Sequence, residues 1–373
     1  MLKKLIPILR ILAALLVIAL AWNLRWKAAS NLPPDADEGI YLSAASQFAD
    51  LVQLGDWAGF LQTNPNPEHP PLNKILFGWA ILPTFEKDMI GDPNQAVLSP
   101  SGFNARRVSV AFGALTAGVL ALVNPFAGFF LAAHTMTIKY SSEIMLEALP
   151  SFTSLLAVLC YVAYKRHNSP RNLWWIASAI FLGLTAAGKF LYALVGFAIL
   201  LDWIISTPHT RQGWGFFLRT ATLWGSFSLL AFLVANPYLW PDPIGRLTEA
   251  LAYHSNYSSS AQEVVQSGFP IYQPFIWLVT SASDWHPQNV FMFSLDMFIV
   301  SMSIFGLVRL WKNERVFVLW LAVGLAFLLV WPTKWPQYIL VLTAPLSLAA
   351  GEAVLILFKA IWSDLIGFRR GSL

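Results

Sequence analysis

Three acidic residues stand together near the amino terminus, where a proline pair gives way to a helical pattern. Asp35, Asp37 and Glu38 come just before an apolar face that repeats with helical spacing. The members of that face are Ile40, Ala44, Phe48, Leu51 and Val52. A carboxylate at a helix start caps free backbone N–H groups, and a carboxylate beside a membrane is also suited to take a proton from a hydroxyl. A cap needs one acid and the sequence has three, so both interpretations of Asp37 stay open.

A second chemical candidate lies in the proline-rich segment 64–74. Prolines hold the directions of Glu68 and His69 before another apolar helix begins. Together with Asp37, these two side chains are candidate ligands for a metal, since carboxylates and imidazole bind divalent ions. Their spacing is not that of a known metal motif. The sequence therefore demands no cofactor and leaves a divalent metal open.

Basic residues form the third group. Arg106, Lys189 and Lys334 stand at the expected outer ends of apolar segments. Positive charge at that depth suits the phosphate of a lipid, although long basic side chains also reach for water and headgroups without any ligand. Glu143 and Glu147 are four residues apart, which places them on one face if that segment is helical.

The elements that hold these residues follow from composition. Of the 373 residues, 57% are hydrophobic and only 12% are charged, too few charges for a soluble surface. Cys160 is the only cysteine, which excludes an internal disulfide, and no basic stripe indicates nucleic acid. Windows of about 20 apolar residues predict about ten membrane-spanning helices. They lie near 5–24, 105–123, 125–141, 145–164, 172–187, 189–206, 216–235, 290–310, 316–332 and 338–358.

Loop charge predicts the orientation. With both termini in the cytoplasm, 14 of the 24 Lys and Arg residues face inward. The long segments 25–104 and 236–289 then face outward, and the first carries the candidate acids and amphipathic helices along the membrane surface. We interpret residues 1–373 as one all-α, multi-pass domain of the cell (cytoplasmic) membrane with its site on the outer face.

Short motifs, in this order, resemble the protein O-mannosyltransferase and aminoarabinose-transferase group of membrane glycosyltransferases, which have the GT-C fold. The motifs are Asp37-Glu38, His69-Pro70-Pro71-Leu72, Arg106-Arg107 before Gly113, Glu147 in the run 145–150, the glycine-containing stretch 183–189 ending in Lys189, and Lys334 to Tyr338. The aminoarabinose branch carries Lys where His69 stands. The similarity is strong over about residues 1–200 and weak beyond.

The resemblance implies an inverting transferase of class EC 2.4. It would move a mannose-like hexose or related sugar from a polyprenyl-phosphate donor to a hydroxyl of a lipid, glycan or protein. The implied roles are Asp37 as base, Glu38 orienting it, and Arg106, Lys189 and Lys334 binding donor phosphate. Glu68, His69, Glu147 and Tyr338 would bind substrate. The alternative is a multi-pass lipid or solute transporter or flippase, which favours mid-span charges and repeated broken helices that the sequence lacks.

The orientation gives a testable prediction. In a Cys160→Ala background, a cysteine replacing Asp56 is expected to react with an impermeant thiol reagent from the outside of intact cells. A cysteine replacing Lys312 is expected to react only after permeabilisation. Labelling of position 56 solely from the inside would place the candidate acids on the wrong face.

Overall fold

The chain is helical throughout its described ranges. The computed structural model describes residues 2–85, 93–166, 173–282 and 293–370, and in these ranges it contains α-helices, short 3-10 helices and turns without any β-strand. The helices are α1 Leu2–Asn31, α2 Glu38–Leu54, α3 Trp57–Gln62, α4 Leu72–Ile81, α5 Pro93–Val97, α6 Pro100–Val123, α7 Pro125–Ala133, α8 Thr135–Tyr140, α9 Ala148–Arg166, α10 Trp174–Gly188, α11 Val195–Ser206, α12 Arg211–Val234, α13 Pro243–Ser260, α14 Gln262–Ser267, α15 Gln273–Val279, α16 Asp296–Val330 and α17 Leu340–Arg370. The all-α prediction is confirmed.

Several of these helices are suited to cross a bilayer. Six candidate spans are long and apolar enough: five lie in α1, α6, α9, α12 and α16, and the sixth is the stretch Pro336–Ile361. Helices α10 and α11 are apolar but shorter. Alanine-rich faces pack in the bundle core, where α1 contacts α6, α9 contacts α10, and α16 contacts α17. Large apolar side chains such as Leu16 and Leu229 point away from the core. The chain is therefore a membrane protein with several apolar helices.

Two predicted spans differ in detail. The span expected at 125–141 is divided into α7 and α8 at His134, whose extended backbone ends one helix while its Nδ1 accepts a hydrogen bond from the Thr137 N–H at the start of the next. The spans expected at 290–310 and 316–332 are joined in α16, and Glu314 interrupts it with non-helical φ −148° and ψ 72°. Residues 290–292 lie outside the described ranges.

The described part of segment 25–104 contains α2, α3, α4 and α5, and the buried face of α2 is shifted from the predicted one. Ile40 is 47% exposed, whereas Ala45 and Ala49 are fully buried. The reason is a close approach to α4, where a Cβ added to Gly78 would lie 2.9 Å from the Ala45 carbonyl oxygen. Small residues on α2 thus face α4, and the larger Ile40 remains on the exposed side.

The described part of segment 236–289 contains α13, α14 and α15. The part of the predicted 236–289 segment at 283–289 lies outside the described residues. Helix α13 begins at a cap made by Asp242, whose carboxylate accepts a hydrogen bond from the Gly245 N–H at 2.9 Å. Arg246 connects α13 to segment 25–104 by donating a hydrogen bond to the Leu61 carbonyl oxygen at 2.9 Å.

Residues 141–147 are irregular, so the prediction that Glu143 and Glu147 share a helical face is wrong. Helix α9 begins only at Ala148. Side chains from elsewhere satisfy the backbone of this segment: Glu38 accepts from the Ile144 N–H at 2.7 Å, and Asn73 donates to the Leu146 carbonyl oxygen at 3.0 Å. These bonds replace the ones a helix would have made.

A buried ion pair between Arg106 and Glu38 connects segment 25–104 to the helix bundle. Both nitrogen atoms Nε and Nη2 of Arg106 donate to the Glu38 carboxylate, at 2.8 and 2.6 Å, and neither residue is exposed. Arg106 Nη1 also donates to the Ala29 carbonyl oxygen at 2.5 Å, at the end of α1. The pair thereby links α1, α2 and α6.

Removing one partner of this pair leaves the other charge buried and unpaired, which costs about 3 to 5 kcal/mol in comparable sites. Arg106→Met and Glu38→Gln are therefore expected to lower the thermal unfolding temperature and the yield of monodisperse protein. Arg107→Met is the matched control, because Arg107 is exposed and pairs with no carboxylate in the described ranges; it donates to Asn104 on its own helix and lies over the Trp26 ring. Equal losses for Arg106→Met and Arg107→Met would contradict this role.

Candidate active site

Segments 25–104 and 236–289 both contribute to one polar cavity of about 210 Å³. Asp37, just before α2, and Tyr41 of α2 line it, together with Glu68 and His69 of the proline-rich segment. Further walls come from α13, from α14 and from the segment after α16. These are Tyr253, His254, Tyr257, Glu263, Trp331, Thr333, Trp335, Gln337 and Tyr338, with Ile40, Asn66 and Lys189 completing the lining. The structure thus brings together Asp37, Glu68, His69, Lys189 and Tyr338 of the predicted site.

The Asp37 side chain does not cap α2. Although Asp37 precedes the first helical residue, its own backbone is helical, with φ −81° and ψ −21°, and its carboxylate makes no capping bond. No group in the described part of the chain donates a hydrogen bond to this carboxylate. Burial, and then the charge of Asp35, raises the pKa of Asp37 to about 6. The carboxylate is free to meet a ligand in the cavity.

The adjacent acids hold Asp37 in place. Asp35 Oδ2 pairs with Lys139 at 2.5 Å, and the Asp35 backbone N–H donates to Glu38 at 3.0 Å. Lys139 also pairs with Glu143 at 3.3 Å. Residues on both sides of Asp37 are therefore anchored in the interior while Asp37 itself faces the cavity.

A buried lysine shapes the segment that carries Glu68 and His69. Lys74 Nζ donates to the carbonyl oxygens of Pro65, Asn66 and His69 at 2.6, 2.9 and 3.0 Å. Burial lowers the pKa of Lys74 to about 7, and burial likewise raises the pKa of the Glu68 carboxyl. Asn66 takes the positive φ of 55° that the turn requires.

Two histidines meet at the cavity wall. The His69 and His254 ring centroids are 5.2 Å apart, and His254 Nε2 lies 2.7 Å from the Glu68 carbonyl oxygen. Burial lowers the pKa of both imidazoles, so both are neutral near pH 7. His69 Nδ1 is buried without a hydrogen-bond partner in the described ranges. A ligand hydroxyl would satisfy it.

Sequence reasoning gave His254 no role because it has no partner nearby in the sequence. The missed signal is the spacing on α13, where Tyr253, His254 and Tyr257 lie three and four residues apart and so share a face. That face turns toward the cavity. Glu263, which accepts a hydrogen bond from the Tyr257 hydroxyl at 2.8 Å, was missed as well.

A second, mainly apolar cavity of about 490 Å³ adjoins the first. Leu191, Leu194, Leu251 and Phe327 contribute to its walls. Both cavities are lined by His69, Lys189, His254, Trp331 and Tyr338. Lys189 therefore stands at the boundary between a polar and an apolar space.

Lys189 is held at that boundary by an ion pair with Glu147 and lies 5.3 Å from the centroid of the Tyr338 ring. Asn73 joins the two segments that carry the pair, since its amide donates to the carbonyl oxygens of Leu146 and Gly188 at 3.0 and 3.1 Å. The second oxygen of Glu147, Oε2, is buried without a partner in the described ranges. Glu147 thus supports Lys189 and is not in the cavity lining.

Besides Glu147, three more of the predicted site residues are not in the lining of either cavity. Glu38 and Arg106 are fully buried in their own pair. Lys334 Nζ donates to the carbonyl oxygens of Leu328, Leu329 and Trp331 at the end of α16, so all its N–H groups have partners. These side chains stabilise the elements around the site.

The candidate metal ligands Asp37, Glu68 and His69 line the same cavity. Within the described ranges, however, no three His, Cys, Asp or Glu side chains are grouped closely enough to hold a metal ion. A divalent metal stays a prediction, and no step below uses one.

No protein-family model matches the chain. No curated protein matches it in sequence. Solved structures do match it in fold. ArnT from Cupriavidus metallidurans bound to undecaprenyl phosphate gives a TM-score of 0.59 at 18% identity, over 95% of this chain and 62% of that one. The archaeal oligosaccharyltransferase AglB from Archaeoglobus fulgidus, in complex with an inhibitory peptide and a dolichol-phosphate, gives 0.55 at 11% identity, over 96% and 52%.

Both neighbours are membrane glycosyltransferases of the GT-C fold. This chain has the GT-C fold. It spans about three fifths of the length of ArnT and half that of AglB. Within this GT-C fold, the two adjoining cavities are the candidate active site.

The environment of Asp37 can be tested by titration. Its carboxyl is expected to titrate near pH 6, because burial and Asp35 both disfavour the charged form. Asp35→Asn removes the neighbouring anion and is expected to lower the pKa of Asp37. Infrared difference spectra of the carboxyl band, with Asp37→Asn as the subtraction reference, give the measurement.

Asp56→Asn is the control for that titration, since Asp56 caps α3 and is exposed. It should leave the Asp37 band unchanged. An Asp37 pKa near 4 in the unsubstituted protein would contradict the buried environment.

Proposed function

We propose that the chain is an inverting glycosyltransferase that moves a sugar from a polyprenyl-phosphate donor to an acceptor hydroxyl at the outer face of the membrane. The observation that carries the proposal is the shared wall of the two cavities. An apolar space for a lipid chain meets a polar space for a sugar, and Lys189 lies where the phosphate between them would be.

The chemistry is a single displacement. The acceptor oxygen forms a bond to the anomeric carbon on the face opposite the phosphate, the bond from that carbon to the phosphate oxygen breaks, and the configuration inverts. The acceptor hydroxyl loses its proton to Asp37, whose carboxylate is raised in basicity by burial and has no hydrogen-bond partner in the described chain. One base suffices because no glycosyl-enzyme intermediate has to form.

The departing group is a polyprenyl phosphate that gains negative charge. Lys189 is the cation positioned to stabilise it, and Glu147 and the Tyr338 ring fix the direction of its ammonium group. Glu68 and His69, in the lining of the same polar cavity, are placed to hold hydroxyl groups of the sugar or acceptor. The lipid chain would occupy the apolar cavity, with its remainder in the bilayer.

The ligands bound in the two structural neighbours support this proposal. ArnT was crystallised with undecaprenyl phosphate, and AglB was solved with a dolichol-phosphate and a peptide. A polyprenyl phosphate is therefore a ligand that GT-C folds of this shape hold. A mannose-like hexose remains our proposed sugar. A transporter gains no specific support from the two cavities.

Asp37→Asn tests the base. The amide keeps the shape of the side chain but takes no proton, so transfer is expected to fall by a factor of roughly 10² to 10⁴ while donor binding persists. Turnover is measured in nanodiscs with labelled polyprenyl-phosphate sugar and native membranes as acceptor. Near-normal transfer would remove Asp37 as base and make Glu68 the next candidate.

Lys189→Met tests the phosphate contact. Loss of a desolvated charge contact is expected to weaken donor binding by about 2 kcal/mol or more, read as a rise in the apparent KM for donor. Lys312→Met is the control, because Lys312 is an exposed lysine on α16 that lines neither cavity. The assignment fails if the two variants bind donor equally well.

A further inference from the structure

We infer that the acceptor presents its hydroxyl on an uncharged glycan, and that Glu263 helps to reject acceptors carrying phosphate or carboxylate near that hydroxyl. This inference rests on the proposed function and adds the substrate class of the same cavity. It is carried by the charges, the aromatic walls and the unsatisfied polar atom of the cavity.

The charge of the wall is unbalanced. Asp37, Glu68 and Glu263 line the polar cavity, whereas Lys189 is the one Lys or Arg side chain in its wall among the described residues. Lys189 already faces Glu147 and would also face the donor phosphate. An acceptor that brought another anion would meet three carboxylates without a free cation. Like charges that share a cavity repel each other, and the repulsion is stronger where water is partly excluded.

The rest of the wall suits a neutral, hydroxyl-rich molecule. Tyr253 and Tyr257 lie nearly parallel, with ring centroids 6.2 Å apart and an interplanar angle of 12°, and Trp331 and Trp335 face the same space. Such rings bury the C–H face of a sugar and leave its hydroxyls at the edges. His69 Nδ1 is a buried, unsatisfied atom in that wall, which a sugar hydroxyl would pair with.

Glu263 is placed to act on the acceptor without taking part in the chemistry. It lies in the first turn of α14, and its carboxylate accepts a hydrogen bond from the Tyr257 hydroxyl at 2.8 Å in the cavity wall. Among the described residues it makes no hydrogen bond or ion pair with Asp37 or Lys189. Its charge is therefore available for discrimination among acceptors.

The test uses the full chain in nanodiscs with undecaprenyl-phosphate hexose labelled in the sugar. Acceptors are an array of alkyl glycosides in matched sets, each comprising a neutral member, its 6-carboxylate and its 6-phosphate, together with a serine-containing peptide. Label is expected on neutral glycosides, with kcat/KM about tenfold or more lower for the anionic counterparts. Anionic members used as well as neutral ones, or label on the peptide but on no glycoside, would overturn the inference.

Glu263→Gln sharpens the test. The ratio of kcat/KM for a neutral acceptor to kcat/KM for its anionic counterpart is expected to shrink by about threefold or more. Glu249→Gln removes the same charge from an exposed position on α13 outside both cavities and should leave the ratio unchanged. Equal ratios for the two variants would overturn the role of Glu263.

A parallel assay with native membranes as the acceptor distinguishes failure of the acceptor inference from failure of the proposed function. Donor consumption with native membranes but no label on any glycoside keeps the glycosyltransferase and overturns the neutral-glycan acceptor. Absence of donor consumption with both native membranes and the array overturns the proposed function, and the acceptor inference with it.

Discussion

The buried pair of Glu38 and Arg106 is the interaction on which the site depends. Two charges removed from water cost several kcal/mol each, and a close pair is tolerable only when its remaining hydrogen-bonding groups are satisfied. Here they are, because the carboxylate also accepts from the backbone N–H groups of Asp35 and Ile144, and the guanidinium reaches carbonyl oxygens of Ala29 and Leu32. One interaction thus fixes the end of α1, the start of α2, α6 and the irregular segment before α9. Asp37 is the residue next to this anchor that stays unpaired.

The hydrogen-bond partners of the buried lysines and arginines distinguish the cations that stabilise the fold from the one available to a ligand. Lys74 and Lys334 each give three hydrogen bonds to carbonyl oxygens, which uses the full donor capacity of an ammonium group. Arg106 donates four hydrogen bonds, two to Glu38 and two to carbonyl oxygens. Lys189 differs, because its partner is a single carboxylate and its surroundings are two cavities. A phosphate arriving there would meet donors that the protein has not consumed.

Much of this arrangement could be predicted from the sequence, and the failures have physical causes. Apolar length indicated the helices, and Asp37, Glu68 and Lys189, which the motifs singled out, line one cavity. Arg106, the partner of Glu38, lies 68 residues away in the sequence, so no local spacing could show that the two side chains form an ion pair. The irregular course of residues 141–147 depends on bonds from Glu38 and Asn73, which are also distant. His254 and Glu263 had no recognised partner in the sequence, yet α13 and α14 bring them to the cavity.

The position of Asp37 reconciles two opposing demands on a base. Burial makes its carboxylate more basic toward an acceptor hydroxyl, but the same burial disfavours the ionised form that is able to accept a proton. A pKa of about 6 keeps most of the side chain charged near pH 7 while retaining added basicity. Lys189 and Lys139 oppose the effect of burial, and Asp35 and Glu147 reinforce it. The charged frame around Asp37 therefore determines both where the base stands and the pH range in which it is able to act.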